Sequence, residues 1–175
     1  MKPRLIVFGY ARHGKDTACE YLQSRFGLTF SSSSWMACQL FLYEQLRERY
    51  GYTSMQECFE DRMNHRKVWF DAIRAYNDPD LCRLGRQLFS QHDVYCGIRN
   101  DEEFYGLKKE GIFDLAVWID ASERKPPEAS ESMTLSAADA DLVVSNNGSL
   151  EEFHRELDLT IGRLLEQQRP SQKVA

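Results

Sequence analysis

Apolar residues recur along this chain in two rhythms. Short continuous runs, Leu5-Ile6-Val7-Phe8 and Leu115 to Ile119, predict strands buried on both faces. Leu28 to Ser31, Asp93 to Ile98 and Leu142 to Ser145 are shorter strand candidates. Helical spacing fills the intervals. A helix from Lys15 to about Phe26 stops at Gly27, and serines 31 to 34 offer N-caps for another through Arg49, closed by Gly51. Ser54-Met55-Gln56-Glu57 has capping-box spacing ahead of a helical stretch to Asn77 that breaks near Asn64. Further helices are expected from Asp80 to Ser90, from the cap Asn100-Asp101-Glu102-Glu103 to Gly111, and after Ser149-Leu150-Glu151-Glu152. On the last of these Leu157, Ile161 and Leu164 or Leu165 share a face. Residues 121–137, polar and broken by Pro126 and Pro127, read as a mobile loop, and the chain from about Arg169 reads as a disordered tail.

Strands alternating with helices predict a mostly parallel sheet covered on both faces, a three-layer α/β fold. With 175 residues and 42% apolar content the chain suits one domain, 1–168, with residues 169–175 as the tail. No apolar run approaches membrane-spanning length and the opening Met-Lys-Pro-Arg leads directly into a strand, so a cytoplasmic protein without membrane contact is expected. Five scattered cysteines without a C-x-x-C pair read as reduced thiols. A net charge of −5 argues against a broad cationic surface for duplex DNA, leaving room for a local groove. The oligomeric state is left open.

The densest chemistry is Gly9-Tyr10-Ala11-Arg12-His13-Gly14-Lys15, a G-x-x-x-x-G-K phosphate loop placed between a strand and a helix. Backbone N–H groups and the helix dipole cradle phosphates in such a loop, and Lys15 reaches the β- and γ-phosphates of ATP. Gly9, Arg12, His13, Gly14 and Lys15 are therefore nucleotide-binding candidates. The next position usually offers a hydroxyl to Mg²⁺. Here it is Asp16, followed by Thr17. Asp16 can hold the metal, act as a general base, or only stabilise the helix N-terminus while Thr17 serves the metal.

GKDT, together with Gly97-Ile98-Arg99-Asn100-Asp101-Glu102-Glu103 and Asp141-Leu142-Val143-Val144-Ser145-Asn146-Asn147-Gly148-Ser149-Leu150-Glu151-Glu152, resembles the phage deoxynucleoside monophosphate kinase family at both ends of the chain. The resemblance implies a P-loop NTPase fold of the nucleoside monophosphate kinase type, using ATP and Mg²⁺. It places Arg99 beside the reacting phosphates as a third catalytic residue with Lys15 and Asp16, and Asn147 near the nucleotide base. That family's pattern carries an Asp two residues before the arginine; Gly97 stands there in this chain, which makes Asp16 the natural replacement.

For the acceptor, residues 34–90 form a helical insertion. Arg62, Arg66 and Trp69 at i, i+4 and i+7 read as one face able to clamp phosphate and stack a base, with the core as the other place for Trp69. Ser34, Trp35, Asp61 and Arg86 complete the substrate-side candidates, Asp61 being a second possible base. The loop Ser122 to Ser132 offers as lid cations only Arg124 and Lys125, fewer than full-sized relatives imply. So open a site suits an acceptor too large to enclose. A second resemblance, to phage kinases of 5-hydroxymethyluracil in DNA, then implies that base as acceptor, with a free deoxynucleoside monophosphate as the alternative and an ATP-binding module with little transfer as the third reading.

Overall fold

The computed structural model describes residues 2–127 and 133–167. The expected 169–175 tail and residues 128–132 of the expected loop lie outside them. In chain order the elements are β1 (Leu5–Phe8), α1 (Lys15–Phe26), β2 (Phe30–Ser32), α2 (Ser33–Ala37), α3 (Tyr43–Tyr50), α4 (Met55–Glu60), α5 (Arg66–Tyr76), α6 (Arg83–Phe89), β3 (Val94–Cys96), α7 (Asp101–Lys109), β4 (Leu115–Asp120), β5 (Leu142–Ser145), α8 (Leu150–Leu157) and α9 (Arg163–Gln167). One π-helical turn, Cys38–Leu42, joins α2 to α3, and another, Asp158–Gly162, joins α8 to α9. No helix among the described residues is long and apolar enough to cross a membrane.

The strands form one sheet in the order β2-β3-β1-β4-β5, every pairing parallel. Its two faces explain the continuous apolar runs. Ile6, Phe8, Tyr95, Ala116 and Trp118 point toward the helices of residues 33–109, whereas Leu5, Val7, Cys96, Val117 and Ile119 point toward α1 and the helices after β5. Leu157, Ile161 and Leu165 bury the C-terminal helical stretch on the second face. All five strands end on one edge, where ligands of open parallel sheets bind.

Serine caps start the helices as their spacing predicts. Ser32 Oγ accepts the N–H of Trp35, Ser54 Oγ that of Glu57, and Ser149 and Glu152 form a reciprocal capping box. The insertion breaks near Asn64 as expected, and the break undoes the continuous face expected of Arg62, Arg66 and Trp69. A 3₁₀ turn (Asp61–Met63) and a bend at Asn64 and His65 separate α4 from α5, so Arg62 and Arg66 do not share a continuous helix. Asp61 holds the break by accepting from Tyr52 Oη (2.6 Å), Asn64 Nδ2 (2.6 Å) and His65 Nε2 (3.1 Å). Local side-chain bonds of this kind compete with the helix ladder.

Candidate active site

At the end of β1 the chain turns through a loop whose shape depends on two glycines. Gly9 has φ +145°, and a Cβ there would lie 2.5 Å from the carbonyl oxygen of Ile119. Gly14, the N-cap of α1, has φ +96°, and a Cβ would lie 2.3 Å from Asn146 Nδ2. Any side chain at either position displaces backbone or the bridging asparagine.

The loop is tied at both shoulders. His13, fully buried, accepts the Ala121 N–H on Nδ1 (3.0 Å), and its carbonyl accepts from Asn146 Nδ2 (2.9 Å). Because Nδ1 is an acceptor, the ring proton sits on Nε2. Tyr10 packs edge-on against both His13 and Trp118. Arg124 donates to the Asn146 carbonyl, and Asn147 joins Asp120 Oδ2 (3.2 Å) to the Glu123 N–H (3.1 Å). These bonds link His13, Gly14, Arg124 and Asn147 along one rim of the loop, with Arg12, at φ +62°, one residue before His13. Beside them a cavity of about 320 Å³ is lined by Ser145, Gly148, Glu152, Phe153, Arg155 and Glu156.

Lys15 spans the mouth of the loop, donating from Nζ to the Tyr10 carbonyl (2.7 Å). Its Cε lies 3.7 Å from where a Cβ on Gly97 would be, so the lysine stem runs beside the end of β3. Asp16, in the first turn of α1 and exposed, accepts the thiol hydrogen of Cys96 on Oδ1 (3.4 Å). Two groups of opposite charge therefore stand side by side where β1 and β3 end. Thr17 is half-buried one residue further into the helix, and Arg99 is exposed after β3. The Arg99 carbonyl accepts from the Thr134 N–H (3.1 Å), which ties residue 134 to the entrance of α7.

These groups suit a magnesium polyphosphate. Positive φ at Gly9, Arg12 and Gly14 shapes the turn into α1, whose N-terminus favours an anion, and Lys15 supplies charge. Among the described residues no cluster of three or more acidic, histidine or cysteine ligands could cage a metal. A nucleotide's Mg²⁺ needs no cage, since phosphates and water fill most of its octahedron and one or two protein oxygens suffice. Asp16 and Thr17 are the residues at the start of α1 that could offer them.

Substrate-side candidates fare unevenly. Ser34 and Trp35 open α2 just past β2, on the strand-end edge. Trp35 packs edge-on to Phe59 (5.0 Å between centroids), and the Arg62 guanidinium lies 3.8 Å over the same ring while donating to the Phe59 carbonyl (2.7 Å). Trp69 closes this aromatic group from inside and is only 4% exposed, so it belongs to the core and offers no stacking face. The expected Arg62, Arg66, Trp69 face does not form. Arg66 points outward with Nη2 3.7 Å from Met63 Sδ, across the break from Arg62. Arg86 is committed to Asp80 and, bidentately, to Glu110 (2.9 Å for both bonds), pinning α6 to the end of α7. Asp61 is held below the usual carboxylate range, first by the Tyr52 hydroxyl and then by Asn64, which makes it a weak base.

Sequence reasoning missed two groups beside the loop and one buried between α6 and α7. Asn146 bridges loop and β5, yet the motif that contains it drew attention to Asn147. Cys96 faces Asp16 from a strand with no chemical signature. Glu103 was read within a cap; its N–H does bond Asn100 Oδ1 (2.8 Å), but its carboxyl turns inward to accept from Tyr95 Oη (3.1 Å). Burial pushes that carboxyl up to about 7. Gly85 makes the room, because a Cβ there would meet Leu107 at 2.7 Å and Glu103 Oε1 at 3.1 Å.

No protein-family model and no curated protein matches the chain. Solved structures do match it in fold. A shikimate kinase from Bacteroides thetaiotaomicron superimposes with a TM-score of 0.55 at 10% identity, covering 95% of this chain and 99% of that one. A candidate kinase from Chloroflexus aurantiacus j-10-fl gives 0.51 at 16% identity, covering 95% and 98%. The chain has the three-layer fold of P-loop kinases, with the phosphate loop at the expected strand-to-helix junction.

Proposed function

We propose that this chain is an ATP-dependent phosphotransferase whose acceptor is the hydroxymethyl group of 5-hydroxymethyluracil in phage DNA. The observation that carries the reading is Asp16, an exposed carboxylate on the first turn of α1 beside Lys15, where a metal-binding hydroxyl is usual. A phosphate acceptor is already anionic and needs mainly positioning. A primary hydroxyl gains from a carboxylate that takes its proton as the new O–P bond forms. Asp61, the other candidate base, is occupied by three donors, which favours Asp16.

The loop N–H groups hold the donor's phosphates, and the cavity beside Ser145, Gly148 and Phe153 adjoins Gly14, on the side where the base of the nucleotide would extend. Lys15 leaves the Tyr10 carbonyl for the β- and γ-phosphate oxygens and offsets charge on the transferring group. Arg99 assists from the end of β3. Bound Mg²⁺ would neutralise the phosphates, with Thr17 as its protein ligand while Asp16 serves as base. The reaction balances as hydroxyl plus ATP giving phosphate monoester, ADP and one proton, the proton passing first to Asp16. The net charge of −5 favours a second reading, transfer to a free deoxynucleoside monophosphate.

The test offers γ-labelled ATP to the purified protein with 5-hydroxymethyluracil DNA, thymine DNA and a mixture of free deoxynucleoside monophosphates in parallel. Label only in the modified DNA is the expected result. Label in nucleoside diphosphates would replace it with the second reading. ATP binding without transfer would reduce the protein to a nucleotide-binding module.

A further inference from the structure

The outer face of α5 has the composition of a platform for single-stranded nucleic acid. Its inner face, Val68, Trp69, Ala72, Ile73 and Tyr76, packs on the core. An amphipathic helix should then be polar outside. Instead Phe70 is 63% exposed, and Met63, just before the helix, is 55% exposed. Helical spacing sets Arg66, Lys67 and Arg74 around the Phe70 ring at i−4, i−3 and i+4, all exposed. Lys67 shares its charge with Asp71 (2.7 Å); Arg66 leans on Met63. Residues 62–76 carry four arginines and lysines against one carboxylate, in a chain of net charge −5. That cationic segment runs against the field of the rest of the molecule.

Position adds to composition. Behind the stripe Trp69 meets Phe59, and Phe59 meets Trp35 at the start of α2 on the strand-end edge. The outer face is therefore connected to the acceptor side through packed rings. We propose that Arg66, Lys67, Phe70 and Arg74 bind the DNA strand that flanks the acceptor base, the cations following phosphates and Phe70 stacking on a base. This rests on the DNA-acceptor reading for its biological meaning. Charge complementarity selects the occupant, because a strand of phosphates answers the cations while its bases answer an exposed ring.

The test measures fluorescence anisotropy of a labelled, unmodified single-stranded oligodeoxynucleotide of about 12 nucleotides, with wild type, Phe70→Ala and Arg74→Glu. These sites are exposed, and unchanged melting temperature and ATP affinity establish that each variant is folded. Phe70→Ala is expected to weaken binding about tenfold without changing the salt dependence. Arg74→Glu should weaken it by a similar factor and flatten the log–log salt slope by about 0.7. Absence of DNA binding by wild type, or equal binding by all three proteins, overturns the proposal. So does a variant that alters only self-association, since the face would then join two copies. The acceptor reading is tested separately. Binding that depends on α5 with no label reaching modified DNA leaves the docking surface standing and removes the acceptor, whereas transfer unaffected by both variants does the reverse.

Discussion

The phosphate-loop rim and the helical insertion are both built at the strand-end edge, but by different means. At the rim, position is set by backbone. Two glycines, a buried histidine and Asn146 hold the loop against β4 and β5, so charge at Lys15 and Asp16 is presented on a rigid frame. In the insertion, position is set by side chains packing in an aromatic group, Trp35, Phe59, Arg62 and Trp69, over a helix interrupted at residues 64 and 65. A charged group on such a frame should change without loss of stability; a packed group should not. That contrast is what substitutions can break or sharpen.

Asp16→Asn carries the largest expected effect, a fall in kcat of about 10² to 10⁴ with a hydroxyl acceptor, read in steady-state transfer assays with an unchanged melting temperature. Lys15→Met should lower kcat by about 10² to 10³, also without loss of stability. On the other side of the comparison, Trp69→Ala should destabilise the fold by about 3 to 5 kcal/mol in denaturant titration, through the cavity it leaves. Were Trp69 instead a stacking residue, stability would hold and acceptor KM would rise.

Glu103 sharpens the contrast by pH. Its carboxyl keeps its proton to about 7 in the folded protein, against 4.5 for an unhindered group. Folded chains thus bind more protons than unfolded ones between those values, so this group's contribution to stability falls as pH rises through the window. Above it the ionised, buried carboxylate costs at most about 3 kcal/mol. Glu103→Gln, which still accepts from Tyr95, should raise the melting temperature at pH 8.5 and leave it nearly unchanged at pH 4.5. The smallest effect belongs to Arg86→Met, about 1 kcal/mol or less in stability and none in activity, because its ion pairs are partly solvated.

What could be read from the chain follows the same division. The strands and the loop are encoded locally, in continuous apolar runs and in glycines whose backbone angles no other residue adopts easily, and the structure places them as expected. The insertion is not local. Whether α4 runs into α5 depends on Asp61 finding Tyr52 as well as Asn64 and His65, and that break decides which aromatic faces water. Trp69 and Phe70 are neighbours, so a spacing argument that is off by one residue exchanges core for surface. Arg86 looked available because Glu110 is far away along the chain. Glu103 has the spacing of a cap residue whether its carboxyl points back to the helix start or, as here, into the space that Gly85 leaves. The resemblance to phage kinases is drawn from residues at the two ends of the chain, and the likeness to solved structures extends to the fold.

The most direct measurement of the central claim is the mass of the nucleotides released by nuclease, without phosphatase, from 5-hydroxymethyluracil DNA after incubation with ATP, Mg²⁺ and either wild-type or Asp16→Asn protein. The account predicts the 5-hydroxymethyldeoxyuridine nucleotide heavier by one phosphoryl group with wild type and almost none with the variant. Unmodified nucleotides with wild type, or equal product from both proteins, would contradict it.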